Sequence, residues 1–281
     1  MKQIKKAAKW LLPPILLLPF RPGFRNEPNA APRWHRGDYP NWSSAAAAAR
    51  GYNAANILDI QRAAMRKVRD GEAVYERDSV LFDEIEYFFP TLASLLLIAS
   101  RNGNRLSVLD FGGALGSSYY QNRAMLAHLE HLSWHVVEQP HFVAAGQAEF
   151  QNDQLRFFPT IAESAAASSP DVVLLSSVLQ YLESPLAFLA NVMALKPHYI
   201  LVDRTPVLDA GRERIVVQTV PPSIYPASYA CRLFAPRAIE TALAPAYCPL
   251  YGFEAHIGTE IVVDSQVAHY RGMLFQRVET A

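Results

Sequence analysis

From Arg105 onward the sequence alternates between two rhythms, and that alternation narrows the possible folds more than any other feature. Short apolar runs at Leu106–Asp110, Trp134–Glu138, Leu155–Phe158, Asp171–Leu175 and Tyr199–Asp203 are separated by helical stretches at Ser117–His131, Pro140–Phe150, Ile161–Ala167 and Leu179–Ala194. Short apolar strands alternating with helices of this length form βαβ units, and so a parallel sheet covered on both faces. After Thr205 the rhythm changes. The segments RIVVQTV (214–220) and RGMLFQRV (271–278) read as strands without a helical partner. They predict a terminal antiparallel pair on the parallel sheet. The expected class is α/β, with a mostly parallel, Rossmann-like sheet and terminal antiparallel strands. A chain of 281 residues, 51% of them apolar, is long enough for one large core with appended elements.

The first hundred residues read as mostly helical, with no strand before 105. Residues 21–42 are rich in Pro, Arg, Asn and Trp, have no period, and read as an extended arm. Ser43 and Ser44 are placed to cap a helix through Ala45–Ala49. Ile57, Gln61, Ala64, Met65 and Val68 recur at helical spacing, and Gly71 stands where a helix stops. A further helix follows Pro90, over Thr91–Ser100. The expected organisation is a basic-apolar segment and arm over 1–38, a helical cap over 39–104, and an α/β domain over 105–281 with an insertion at about 205–235.

The extreme N-terminus, MKQIKKAAKWLLPPILLLPFRP, sets Lys2, Lys5, Lys6 and Lys9 ahead of an apolar run from Trp10 to Phe20. The run falls short of the roughly 20 apolar residues needed to span a bilayer. It is broken by three prolines, and no clean small-residue cleavage site follows it. Two readings stay open: a helix docked on the domain, or a peripheral anchor with lysines on lipid phosphates. Net formal charge is zero, so no basic excess points to nucleic acid. Cys231 and Cys248 fit neither a disulfide framework nor a CxxC metal site, which points to a reducing, cytoplasmic setting. His128, His131 and His135 do not make a closed ligand set, so no metal is expected.

The stretch SVLDFGGALGSSYYQNR (107–123) joins the first strand of the alternating series to the first helix. In open α/β sheets, ligands bind outside the carboxyl ends of the strands, near this turn. Its pattern is Asp110, Gly112, Ala114, Gly116, not G-x-G-x-x-G. An acid at the end of the second strand, Glu138, is placed to accept hydrogen bonds from ribose hydroxyls. Each feature has a structural alternative, a plain turn or a solvated acid, but their order and spacing favour a cofactor site.

The D-x-G-x-A-x-G spacing resembles the loop of class I S-adenosylmethionine-dependent methyltransferases, with alanine at the middle glycine. DVVLLSSVLQYLESP (171–185) resembles the fourth strand and following loop of that fold, with Gln180 where histidine is more usual. Together GYNAANIL, GEAVYERDSVLFDEIEYFFP, VLDFGGALGSSYYQNR, WHVVEQPHFV, SSVLQYLESP, LVDRTPV and IYPASYA resemble a bacterial family of methyltransferase-type proteins encountered near surface-polysaccharide genes. The resemblance covers nearly the whole chain from about Tyr39. It implies a class I methyltransferase fold, S-adenosyl-L-methionine as cofactor, and a role near cell-surface glycan assembly. It supplies neither a substrate nor catalytic residues. The departures are Ala114 in the loop and Ala230, which stands where proline is expected.

On this reading the cofactor-binding candidates are Asp110, Gly112, Gly113, Gly116, Glu138, Gln139, Ser176, Ser177 and Gln180. Methyl transfer to a hydroxyl needs in-line positioning and removal of a proton. The catalytic candidates are therefore Asp203, as base or as an ion-pair partner of Arg204; Arg204, for a phosphate or carboxylate; and Tyr225. Tyr229 and Gln218 lie in the same inserted region. Arg77, in YERDSVLFDE, is either a partner for the methionine carboxylate or a solvated helix charge. The expected activity is methyl transfer to a hydroxyl of a sugar or glycan intermediate. Two alternatives are a catalytically silent scaffold in membrane-associated glycan assembly and a nicotinamide-dependent sugar oxidoreductase, the latter disfavoured by the missing G-x-G-x-x-G.

Overall fold

The computed structural model describes residues 34–49, 54–77, 80–84, 88–220, 227–255 and 260–278, and of residues 54–56 and 77 the backbone alone. These belong to one compact unit, Trp34–Ala281. The basic-apolar segment at Met1–Phe20 and the candidate Tyr225 lie outside the described residues, as does the Arg77 side chain.

The N-terminal part corrects the expectation of helices alone. β1 (His35–Tyr39) is followed by α1 (Trp42–Ala48), α2 (Ala54–Arg69), a hairpin of β2 (Tyr75–Arg77) and β3 (Val80–Phe82), and α3 (Phe89–Arg101). The cap of α1 is Asn41, whose side chain accepts from the Ser44 amide at 2.9 Å, rather than Ser43 or Ser44. The β2–β3 hairpin carries a stacked pair, Tyr75 and Phe82, with ring centroids 4.6 Å apart. A stretch of three residues per strand is too short to show a period, so a reading by periodicity passes over it.

The alternating region follows as β4 (Arg105–Phe111), α4 (Ser117–Leu126), β5 (His131–Val137), α5 (Pro140–Glu149), β6 (Leu155–Phe158), α6 (Ile161–Ala167), β7 (Val172–Ser176), a 3₁₀ turn (Leu179–Tyr181), α7 (Pro185–Ala194) and β8 (Tyr199–Leu208). The expected single helix over 179–194 is thus divided. Pro185 disfavours helical backbone at Ser184 and itself takes the first helical position of α7. The chain ends with β9 (Arg214–Thr219), β10 (Ser228–Leu233), α8 (Ala238–Leu243), β11 (Tyr247–Glu254), β12 (Glu260–Val263) and β13 (Gln266–Arg277).

The central sheet runs β6-β5-β4-β7-β8-β13-β11, with β12 paired to β13. The first five strands are mutually parallel, and β13 is antiparallel to both β8 and β11. A mostly parallel sheet whose antiparallel strand is inserted between the two on its far side is the class I methyltransferase topology. The expected antiparallel pair is corrected in its membership. β9 leaves the central sheet for a separate three-stranded sheet, β1-β9-β10, and β11 is the partner of β13.

Alternation along the strands divides the core. Val108, Trp134, Val136, Phe157, Val172 and Leu174 pack with Leu95, Ile98 and Leu115 on one face. Leu109, Val173, Leu175, Val202 and Phe275 pack with Leu189, Val192 and Ile239 on the other. Each such side chain, fully buried, contributes about 1.5–3 kcal/mol. The cap helix α2 is tied to α5 by Arg62 and Arg66 on Glu149, the Arg66 contact being 2.6 Å. Those two guanidinium groups hold the Glu149 carboxyl down at about 2.

Candidate active site

The chain builds β4, β5 and β6 in one direction and β7 and β8 in the other, so strand order reverses between β4 and β7. In open α/β sheets this switch point leaves a crevice at the carboxyl ends of the strands. The described candidates stand there: Asp110, Gly112, Gly113 and Gly116 at and after β4, Glu138 and Gln139 after β5, Ser176, Ser177 and Gln180 at and after β7, and Asp203 and Arg204 within β8.

The loop after β4 needs its glycines for two reasons. Gly112 has φ +74°, and a Cβ there would lie 2.8 Å from Val178 Cγ2. A Cβ on Gly113 would lie 2.6 Å from the Asp110 carboxyl. Ala114 takes φ +51° although it carries a Cβ, a conformation that costs a non-glycine residue roughly 1–2 kcal/mol. The alanine therefore leaves the loop formed but strained.

Asp110 lies under the loop rather than facing the crevice. It is 1% exposed, and its carboxylate accepts from Trp134 Nε1 at 3.0 Å. Its carboxyl fills the space a Cβ at Gly113 would need. Burial pushes its carboxyl up to about 7, with the Trp134 hydrogen bond and the Arg204 charge pulling the other way. An acid raised in the folded state contributes stability that is fully present below its unfolded value, near 3.9, and is lost as pH rises through about 7. Melting temperature is thus expected to fall between pH 5 and pH 8. Asp110→Asn, which keeps an acceptor for Trp134, should flatten that slope and raise stability at pH 8 by on the order of 3 kcal/mol. Calorimetric melts of both proteins across this range check it, and parallel slopes would be the contrary result.

Glu138 is half-buried, and burial pushes its carboxyl up against hydrogen bonds from the Gln139 and Ala114 amides that pull it down. The Gln139 amide donates to Glu138 Oε2 at 2.7 Å. The Ala114 contact links the end of β5 to the glycine loop.

A second polar group occupies the end of β7 and the part of β8 beside it. Ser176 Oγ donates to Asp203 Oδ2 at 2.6 Å, and Arg204 Nη2 donates to Ser176 Oγ at 3.0 Å. Arg204 Nε stands 3.4 Å from the same carboxylate oxygen. Gln180 Nε2 donates to Ser177 Oγ at 3.1 Å and to the Arg204 carbonyl at 3.2 Å. Gln180 and Asp203 are 1% and 3% exposed, yet Gln180 Oε1 and Asp203 Oδ1 have no hydrogen-bond partner among the described residues. Ser177 and Arg204 hold φ of +56° and +47°. Two strained non-glycine residues beside two unspent buried acceptors mark this as the place where fold stability yields to something else.

The β1-β9-β10 sheet covers the 3₁₀ turn. Tyr181 donates to Gln218 Oε1 at 3.0 Å, and its ring meets Tyr229 edge-on at 5.0 Å. His35 faces Gln218 across the β1–β9 pair and hydrogen-bonds its side chain. Burial drives the imidazole down to about 4, so it is neutral at pH 7. Neither His35 nor Tyr181 stands out in the sequence, because each meets Gln218 through a contact between distant elements that no spacing reports. Among the described residues, no group of three or more His, Cys, Asp or Glu could hold a metal ion. His135 is buried against Ser164 Oγ at 3.2 Å, while His128 and His131 are exposed.

No family model matches the chain, and no curated protein matches it. Solved structures do. The Burkholderia thailandensis 1,6-didemethyltoxoflavin N1-methyltransferase, with bound 1,6-didemethyltoxoflavin and S-adenosylhomocysteine, is 15% identical over 82% of this chain and 92% of its own, with a TM-score of 0.43. The N-terminal domain of EvdMO1, in the presence of S-adenosylhomocysteine and D-fucose, is 14% identical over 79% and 97%, with a TM-score of 0.47. The magnesium protoporphyrin IX methyltransferase of Synechocystis PCC 6803, with bound S-adenosylmethionine, is 14% identical over 67% and 79%, with a TM-score of 0.42.

Proposed function

We propose that this protein is an S-adenosylmethionine-dependent methyltransferase acting on a hydroxyl of a sugar or cell-surface glycan intermediate. The observation that carries the reading is the convergence, at one switch point, of a glycine loop, a half-buried acid after β5 and two unspent buried acceptors, one in the turn after β7 and one within β8. The residues fit the cofactor's chemistry. The loop from Gly112 to Gly116 lets backbone approach a ligand closely, and Glu138 is an acceptor for vicinal ribose hydroxyls. When bound, the cofactor supplies a methyl group on a sulfonium. The chain's part is to hold the acceptor in line and take its proton. Asp203, through Oδ1, is the candidate for that proton, and Arg204 for an anionic group on the acceptor. The resemblance to the bacterial surface-polysaccharide family, not the crevice, is the basis for naming a glycan.

The cytoplasm is the proposed location, because the cofactor is made there. Among the described residues no helix is long and apolar enough to cross a membrane. Contact with the inner membrane face would rest on Met1–Phe20, which the described residues do not include.

Calorimetric titration with S-adenosylhomocysteine tests the reading. The wild-type protein should bind it, and Glu138→Ala should lose about 1–3 kcal/mol of binding free energy, the usual worth of charge-assisted hydrogen bonds. Unchanged affinity in a folded Glu138→Ala protein would count against the cofactor assignment.

A further inference from the structure

We propose that Glu76, from the cap hairpin, receives the α-ammonium of the cofactor's aminoacyl tail, an inference that rests on the methyltransferase reading above. Glu76 lies far upstream of the glycine loop in sequence and belongs to a three-residue strand. The fold nevertheless delivers it to the end of that loop. Its carboxylate accepts from the hydroxyl of Ser117, the first residue of α4, immediately after Gly116. It is 2% exposed, so this is a built contact and not a passing surface one. The stacked Tyr75–Phe82 pair and the packing of Tyr75, which is fully buried, fix the hairpin that carries it.

The chemistry selects the ligand group. A carboxylate only accepts hydrogen bonds, so a group bound there must donate. The two ends of the cofactor differ in this respect. The ribose end presents hydroxyls, for which Glu138 is the acceptor on β5. The aminoacyl end presents an ammonium with three donors and a full positive charge. A second carboxylate, set against Ser117 just past Gly116 where Glu138 meets the loop at Ala114, matches that second end. The start of a ten-residue helix also favours a negative charge beside it. In the sequence, Arg77 is open between a partner for the methionine carboxylate and a solvated helix charge. The hairpin instead puts its neighbour against the loop, and what Glu76 binds is the ammonium and not the carboxylate. One consequence is that the cap is part of the cofactor site and not merely a cover for the sheet.

Two ligands separate this from a structural role. S-adenosylhomocysteine carries the ammonium, and 5′-methylthioadenosine keeps the nucleoside and thioether but lacks the whole aminoacyl tail. In Glu76→Gln, affinity for S-adenosylhomocysteine should fall about 10- to 100-fold, while affinity for 5′-methylthioadenosine stays within twofold. A thermal melt of each protein establishes that it is folded. Equal losses for both ligands, or no loss for either, would overturn the proposal. Should the glutamine variant not fold, Glu76→Asp keeps the charge on a shorter arm and should show the same selective loss at smaller size. If Glu76→Asp weakens both ligands equally or neither, the proposal falls. If the wild-type protein binds neither ligand, the methyltransferase reading itself fails and this one with it. If it binds both and the variant does not discriminate, Glu76 alone is lost.

Discussion

Valine at position 112 is expected to abolish S-adenosylhomocysteine binding and to lower stability by about 2–5 kcal/mol. Two costs combine. Gly112 sits at φ +74°, where an L side chain costs roughly 1–2 kcal/mol, and more when branched at Cβ. The added Cβ would also meet Val178 Cγ2 at 2.8 Å, an overpacking of the kind that costs about 1–3 kcal/mol. The substitution therefore strains the fold as well as the site. Val178 lies in the loop after β7, so a side chain at 112 displaces two crevice-forming loops together. Val178→Ala in the same protein should restore room but not backbone geometry, and so recover part of the stability and little binding. Calorimetric titration beside urea denaturation measures both effects. Binding within twofold of wild type in the single variant would remove the loop from the cofactor site.

That loop was legible in the sequence because glycine identity and spacing report backbone geometry directly. Gly112 and Gly116 both have positive φ, at +74° and +93°. The parallel strands were legible for a related reason. A strand buried on both faces is apolar at successive positions, as Val172 to Leu175 are, and such runs need no partner to be recognised. The antiparallel region was harder to read. Both β9 and β13 have strand-like composition, but which sheet a strand joins depends on distant partners. β9 found β1, a five-residue strand in a segment that carries no period. The polar contacts of the site were least legible. Glu76 with Ser117, Trp134 with Asp110, and His35 with Gln218 are each made by elements far apart in the chain. Asp110 itself was recognised, but its burial under Gly113 was not, because a motif names the residue and not the direction of its side chain.

Asparagine at position 203 is expected to slow methyl transfer by 10²–10⁴-fold while leaving S-adenosylhomocysteine affinity nearly unchanged, the contribution typical of a positioned proton acceptor. The structure sharpens the competition between base and ion-pair partner, because the two oxygens of Asp203 differ. Oδ2 is committed to Ser176 at 2.6 Å and lies 3.4 Å from Arg204 Nε. Oδ1 is buried and unspent. An ion-pair partner alone would leave no reason to keep the second oxygen buried without a donor, since a lost hydrogen bond of that kind costs about 1–3 kcal/mol. An acceptor hydroxyl at Oδ1 supplies the missing donor and places its proton where a base must take it. Asp203→Asn also weakens the link to Arg204, so melting temperature should fall as well, and rate loss alone does not decide. Ser176→Ala provides the separation. It deletes the hydrogen bond to Oδ2, lowers stability, and leaves the carboxylate charge in place, so its transfer rate should stay within about tenfold of wild type. The measurement is single-turnover transfer of a labelled methyl group into a glycan extract, with a thermal melt of each variant. If the two variants lose rate in parallel with their melting temperatures, Asp203 acts through the loop it holds, and the proton has to leave by another residue of the crevice.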